Sequence, residues 1–229
     1  MDSAELLSTK LFAGLKAKDI SSLIQEADSA IHQFKRNDVL WHENEVVNGI
    51  GLLLKGALLS HRQLPGGKVQ FVRFFFPHDI INLETGVSRK KNSPVSLTAE
   101  GPGCFIWFTE ADLFGNSQIS LQTASTIQSN LLACLADDAI SYMKRMDILS
   151  RRTVRGRIIA YLSLLQEAQG NKIEIGMSQT DLAQFLCVDR SSLSAAMNNM
   201  QREGIIEFEK QALSFIVQVP SGVPIGVYE

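Results

Sequence analysis

Hydrophobic and polar residues change rhythm three times along this chain. Near the start, "LFAGLKAKDISSLIQEA" places apolar residues at helical spacing and predicts a short amphipathic opening. Short apolar runs broken by Gly and Pro follow: "AIHQFKRNDVLWHENE", "GIGLLLKGALLSHRQ", "QFVRFFFPHDII" and "VSLTAEGPGCFIWF". Pro65-Gly66-Gly67 between the second and third reads as a hairpin turn. Many short strands with regular turns predict a β-barrel or jelly roll. The loop "NLETGVSRKKNSP" carries "RKKN", a solvated tip or a phosphate-binding patch. "TEADL" has capping-box spacing from Thr109 to Asp112, and from about Ser117 to Leu149 there is neither Pro nor Gly. Leu121, Gln128, Leu135, Tyr142 and Leu149 recur every seventh residue there. Ser125, Leu132, Ala139 and Met146 follow the first four of these by four positions. These a and d places predict a long helix, with a seam on Leu121, Leu132, Leu135, Ala139, Tyr142 and Met146. A helix that long has more apolar surface than one small barrel covers.

The third rhythm is that of two short helices. Ser178 and Asp181 have capping-box spacing, and Leu182, Phe185 and Leu186 then fall on one face. After "CV", Asp189 is expected to cap a second helix, its oxygen accepting backbone N–H groups. Leu193, Ala196, Met197 and Met200 line one side of that helix; Arg190, Ser191, Ser194, Ala195, Asn198 and Arg202 line the other. Helix, tight turn and helix with a polar outer face fit a helix-turn-helix, whose second helix enters the major groove. Any all-helical domain can also hold two capped helices with polar outer faces. "EGIIEF", "EKQA" and "LSFIVQV" continue as strand, turn and strand, which makes the unit a winged helix.

Composition narrows the class. The 229 residues are 45% hydrophobic and 20% charged, enough for a real core in one large or two modest domains. No apolar run approaches the ~20 residues of a membrane span, and "MDSAELLSTK" lacks the basic flank and apolar block of a signal peptide. Cys104, Cys134 and Cys187 are odd in number and far apart, which suits a reduced, cytoplasmic protein and no local metal or iron–sulfur site. His32, His42, His61 and His78 show no metal-ligand spacing. Residues 151–229 hold eight Lys and Arg against eight Asp and Glu, a neutral balance for a nucleic-acid binder. Distribution matters more: Arg151, Arg152, Arg155 and Arg157 crowd into "SRRTVRGR", while Glu203, Glu207 and Glu209 lie after the second helix. So thin a patch calls for dimerisation.

The chain resembles the superfamily of bacterial transcription regulators that contains the cyclic-AMP receptor protein and FNR. The resemblance rests on "LFAGL", "LLLKGALL", "PVSLTAEGPGCFIWF", "RGRIIAYLSLL" and, most specifically, "LAQFLCVDRSSLSAAMNNMQREGIIEF". It implies an α+β chain: a jelly-roll, cyclic-nucleotide-binding-like domain over 1–116, a dimerisation helix over 117–150, and a winged helix-turn-helix over 151–229. Implied partners are palindromic double-stranded DNA, a second copy of the chain, RNA polymerase and a small effector, with no membrane.

Several residues depart from that family. Members that bind cyclic AMP use a Gly-Glu pair on the ribose and an Arg on the cyclic phosphate. Here Glu84 lies near the first place with no Gly before it, and Ser93 takes the place of the Arg. An unpaired phosphate would be desolvated at a cost, so cyclic AMP is not expected. FNR-type members hold an iron–sulfur cluster through an N-terminal Cys group absent here, and His78 is the one candidate for a haem ligand. No cofactor is expected. An effector pocket is expected near Phe74, Phe76, Glu84 and Ser93, with Tyr142 over it, for an aromatic or apolar ligand or none. Arg73 is assigned to the outer face of its strand; pointing inward, it would replace the missing anion holder. On the recognition helix, Arg190 and Ser191 fill two family places and Ala195 stands where a second Arg is usual. Asn198 or Ser194 is then expected to read adenine or thymine, and Ser178 and Gln179 to touch phosphate. Two other classes remain open: a barrel sensor whose helix-turn-helix no longer reads specific DNA, and a cupin-type enzyme. The latter needs clustered His and carboxylate ligands that the strands lack, so no enzyme is expected.

Overall fold

The computed structural model describes residues 6–26, 31–67, 69–115, 119–175, 177–209 and 214–217. The chain divides into two compact units, Met1–Ala139 and Ile140–Glu229. The boundary falls inside one continuous helix.

The first unit opens with a 3-10 turn, Lys10–Phe12, and helix α1, Ala17–Glu26. Eight strands follow: β1 (Ile31–Phe34), β2 (Val39–Trp41), β3 (Ile50–Lys55), β4 (Leu58–Gln63), β5 (Val69–Phe75), β6 (Ile80–Ile81), β7 (Ser96–Ala99) and β8 (Gly103–Phe108). A one-turn helix α2, Leu83–Gly86, sits between β6 and β7. The strands form two antiparallel four-stranded sheets, in the orders β1-β8-β3-β6 and β2-β7-β4-β5. This is a jelly-roll arrangement. Phe34, Trp41, Leu58, Phe75, Leu97 and Phe105 form one core cluster, contributed by both sheets. A second cluster forms on the other side of the first sheet, where Leu52, Ile106 and Phe108 meet Phe12, Ile20 and Leu23. Adjacent Leu52 and Leu53 belong to different clusters because neighbouring strand residues face opposite ways.

Gly56 makes the β3–β4 turn possible. Its φ is 89°, and a Cβ there would stand 2.8 Å from the Pro102 carbonyl oxygen. A side chain would meet both the positive-φ penalty and backbone.

The 30-residue helix α3 spans Leu121–Ser150. Thr109 and Asp112 do form reciprocal bonds, the Thr109 amide donating to the Asp112 carboxylate and the Asp112 amide to Thr109 Oγ1. They close a separate π-helical turn, Ala111–Gly115. The long helix starts later, where the Thr123 amide donates to Ser120 Oγ. In the first unit its inner side buries Ile127, Leu131 and Cys134 in the second cluster, and Leu135 packs partly against it.

The second unit takes the last turns of α3, then α4 (Val154–Gln169), β9 (Lys172–Glu174), α5 (Gln179–Phe185), α6 (Arg190–Arg202), β10 (Ile206–Glu209) and β11 (Ser214–Val217). β11 pairs antiparallel with both β10 and β9, giving the sheet order β10-β11-β9. The expected "EKQA" turn lies largely outside the described residues. β9 has no counterpart in the hydrophobic pattern: three residues with one buried side chain, Ile173, leave too short a signal. Ile148, Ile158, Leu162, Leu182, Leu193 and Met197 centre one core. Tyr161 is packed against Phe185, and burial pushes its hydroxyl pKa up to about 12. Among the described residues no helix is long and apolar enough to cross a membrane.

Candidate nucleic-acid interface and effector region

The second unit presents helix α6, and the chain builds that helix from its ends inward. α5 begins with a complete capping box: the Asp181 amide donates to Ser178 Oγ while the Ser178 amide donates to the Asp181 carboxylate. α5 ends in a Schellman motif, with the Val188 amide donating to the Ala183 carbonyl and the Cys187 amide to that of Gln184. Cys187 holds the left-handed position, φ 54°, where Gly is usual. For an L-residue that conformation costs about 1–2 kcal/mol. Two arginines stabilise it. Arg157, from α4, donates to the carbonyls of Leu186 (2.9 Å) and Cys187 (3.1 Å). Arg145, from α3, donates to the Phe185 carbonyl and stacks over the Phe185 ring at 4.6 Å. Both cations sit at the negative end of α5, where the helix dipole favours them. Burial lowers the pKa of Arg145, the residual cost of this arrangement.

α6 follows with Asp189 in the N-cap position, extended at φ −73° and ψ 142°. The Asp189 side chain makes no cap hydrogen bond, contrary to the bond expected from the sequence. The helix closes in a second Schellman motif, Ile205 to Met200 and Gly204 to Gln201, with Gly204 at φ 72°. Leu193, Met197 and Met200 are fully buried, so the helix cannot roll. Arg190, Ser191, Ser192, Ala195, Asn199 and Arg202 are exposed; Ser194 and Asn198 are half-buried. Arg202 donates to the Asn199 side chain. Of the two residues placed on phosphate, Ser178 is exposed but its hydroxyl donates to Asp181 (2.6 Å). Gln179 is half-buried, its amide 4.0 Å from the Met197 sulfur.

The arginine cluster of "SRRTVRGR" is largely spent inside the unit. Arg151 pairs with Asp147 at 3.2 Å, Arg155 pairs with Glu203, and Arg157 holds the turn. Arg152 is exposed. The sequence pattern could not show this, because the partners of Arg155 and Arg157 lie 48 and 29 residues away.

The roll differs from expectation at Arg73. In register, Phe75 lies opposite Leu58 and Arg73 opposite Ser60, and both Leu58 and Ser60 are buried. Arg73 therefore shares a side with Phe75, which belongs to the inner cluster, and not with the outer face. Its guanidinium lies 4.7 Å over the Phe75 ring and 2.7 Å from the Asp138 carboxylate on α3. With side chains only 26% and 15% exposed, this pair is much better shielded than a surface ion pair. An arginine is kept inside because a carboxylate distant in sequence neutralises it. Phe74, on the opposite side of the strand, stacks on Phe76, and Phe76 is 57% exposed. Of the two rings expected to wall a pocket, Phe74 is half-buried opposite the buried Leu59 and Phe76 is exposed.

Ser93 is buried and fully occupied: the Trp41 indole donates to its hydroxyl (3.1 Å), which donates to the Val95 carbonyl (2.7 Å). Glu84 is half-buried on α2. Before it, Asn82 takes the left-handed conformation, φ 60°, with its amide on the Val47 and Gly49 carbonyls. Within "RKKN", Lys91 is tied to the Gly86 carbonyl at 2.7 Å. Tyr142 is half-buried and belongs to the second unit. Among the described residues, no three His, Cys, Asp or Glu come together to hold a metal ion.

The outer side of α3 is apolar and exposed. Leu132, Ile140, Met143 and Met146 are 69%, 52%, 69% and 71% exposed, and Ala136 and Ala139 are exposed between them. They form one stripe at helical spacing. Leu121 is exposed as well, while Leu135 and Tyr142 turn toward the half-buried side.

Two family models match this chain: a cyclic nucleotide-binding domain over residues 31–117 and a Crp-like helix-turn-helix domain over residues 156–219. Together they cover well over half of it. The chain belongs to the Crp/FNR family of transcription regulators. The transcriptional activatory protein AadR of Rhodopseudomonas palustris is 24% identical over 196 residues, 81% of this chain and 73% of AadR. Solved structures of the same fold include FixK2 from Bradyrhizobium japonicum, with TM-score 0.62 and 18% identity over 82% of this chain and 92% of that one. They also include the c-di-GMP responsive global regulator CLP of Xanthomonas campestris, with TM-score 0.67 and 12% identity over 86% and 98%. The Crp/FNR fold thus places a helix-turn-helix and a cyclic-nucleotide-binding-like roll in one chain.

Proposed function

We propose that this Crp/FNR-family protein is a homodimer that reads a palindromic DNA site through α6 and is gated by an effector other than cyclic AMP. The observation that carries this is α6 itself. Its apolar side is locked in the core, each helix of the helix-turn-helix ends in a Schellman motif, and its outer side is small and polar with Arg190 exposed. Small residues let the helix approach base edges, and an Arg can hold guanine O6 and N7 bidentately. Ser191, Ser194 and Asn198 complete the reading face. With the neighbouring arginines spent on structure, phosphate attraction is weak, and two heads must act together. Arg190→Ala is expected to cost ~1–3 kcal/mol and relax specificity at one base pair of each half-site. A competition mobility shift over single-base operator variants measures it. Unchanged preference would move the reading face elsewhere, and no specific shift at all would favour a sensor that has lost DNA reading.

The exposed α3 stripe is the proposed dimer seam, centred on Leu132, Ala139, Ile140, Met143 and Met146. Each large side chain contributes roughly 1.5–3 kcal/mol on full burial. Leu135 is a poor probe because it packs on its own unit's core. Met143→Asp leaves the protomer's core untouched and places a charge in the seam. Sedimentation is expected to show a monomer at concentrations where wild type is a dimer, with DNA affinity lost. A Met143→Asp protein that sediments and binds as wild type does would place the seam elsewhere.

The effector follows from Arg73 and Ser93. Ser93 has no positive charge and is already bonded on both sides, and Arg73 is already neutralised by Asp138. A cyclic phosphate would have to displace that carboxylate. Calorimetry with cyclic AMP and cyclic GMP is expected to show no micromolar binding. Micromolar binding that Arg73→Ala abolishes would show that Arg73 leaves Asp138 to hold a phosphate.

A further inference from the structure

The roll has a second concave feature, away from Arg73. A cleft of about 530 Å³ lies along β1, β2 and the Glu45–Asn48 segment, lined by Phe34, Trp41, Phe105 and Trp107. Its volume lies within the ~300–1,000 Å³ of small-molecule sites. The rings meet at steep angles: Trp41 and Trp107 at 6.1 Å and 64°, Phe105 and Trp107 at 5.9 Å and 67°. His32, which also lines the cleft, lies flat on Phe105 at 5.1 Å.

Both indole N–H groups are used within the protein. That of Trp41 donates to Ser93, and that of Trp107 donates to the Asn48 carbonyl at 3.0 Å. Phe34, Trp41 and Phe105 belong to the buried core, so half-buried Trp107 is the indole most open to the cleft, and it offers ring carbon and not a donor for an anion. The charged residues that line it are Asp38 and Glu45, with no Lys or Arg among the lining residues. Each carboxylate is held at the rim by a backbone amide, Lys35 to Asp38 (2.7 Å) and His42 to Glu45 (2.9 Å). One bond each leaves most of their acceptor capacity open.

We propose that this cleft binds an organic cation, a compact ammonium bearing apolar substituents. Aromatic faces carry the negative end of the ring quadrupole and attract a cation within ~6 Å of the centroid. Two fixed carboxylates add to that attraction and repel anions. Apolar substituents match the exposed Val39 and Val46 at the rim. The site is chemically opposite to Arg73 and does not depend on how the second unit reads DNA.

The chain's two tryptophans both line this cleft, so intrinsic tryptophan emission reports on it selectively. The full-length protein is titrated with choline, with its neutral isostere 3,3-dimethylbutanol and with the carboxylate 3,3-dimethylbutyrate, at constant ionic strength. Choline is expected to give a saturable change, the neutral isostere to bind about tenfold more weakly, and the carboxylate not at all. Trp107→Leu, read by Trp41, and Glu45→Gln should each weaken choline severalfold. Glu45 is exposed, so Glu45→Gln keeps the test decisive if Trp107→Leu does not fold. Equal affinity for choline and its neutral isostere would overturn the proposal. So would the lack of any saturable response, or unchanged choline affinity in Glu45→Gln.

Discussion

Helix α3 is apolar on two sides, and the chain covers only one. Ile127, Leu131 and Cys134 are buried in the first unit and Ile148 in the second, so the helix is anchored in both. The side bearing Leu132, Ile140, Met143 and Met146 is left in water. An exposed apolar stripe of this kind is characteristic of an interaction surface. The proposed pairing along the stripe would bring two reading heads into one molecule. That would compensate for how little positive charge each reading head exposes.

The reason for that scarcity is structural. A helix-turn-helix needs a sharp reversal between its helices, and here Cys187 makes it in a conformation that disfavours side chains. Arg157 and Arg145 satisfy the carbonyls at that reversal, and Arg155 and Arg151 are neutralised by Glu203 and Asp147. Arginines that look like a DNA-binding patch are largely framework. The same principle operates in the roll, where Arg73 is held inside by Asp138. In both units, a carboxylate or carbonyl remote in sequence decides what an arginine does.

What was legible in the sequence follows from this. Local signals translated directly: the strand runs and their turns, the Ser178–Asp181 capping box, the Asp189 N-cap position and the buried face of α6 all depend on residues a few places apart. Thr109 and Asp112 form a genuine capping box, but it serves the π-helical turn Ala111–Gly115 and not α3. The side taken by Arg73 is not legible locally, because charge alone argues for solvent and its partner Asp138 is 65 residues further on. The heptad count grouped Leu135 and Tyr142 with Leu132, Ala139 and Met146, whereas the first two are half-buried and Ile140 and Met143 are exposed beside the other three. Apolar spacing marks two faces of α3 at once, and only packing shows which one the protomer uses. The Trp41–Trp107 cleft was invisible because its rings come from three strands separated in the chain.

The proposed dimer has two copies of α6 reading DNA as a symmetric pair. Selection of bound sites from random double-stranded DNA with the purified protein reads out that symmetry. Enriched sequences are predicted to be palindromic, with half-sites centred about 10–10.5 base pairs, or a whole multiple of that, apart. Enrichment of an unsymmetrical single site, or no enrichment over random sequence, would contradict it.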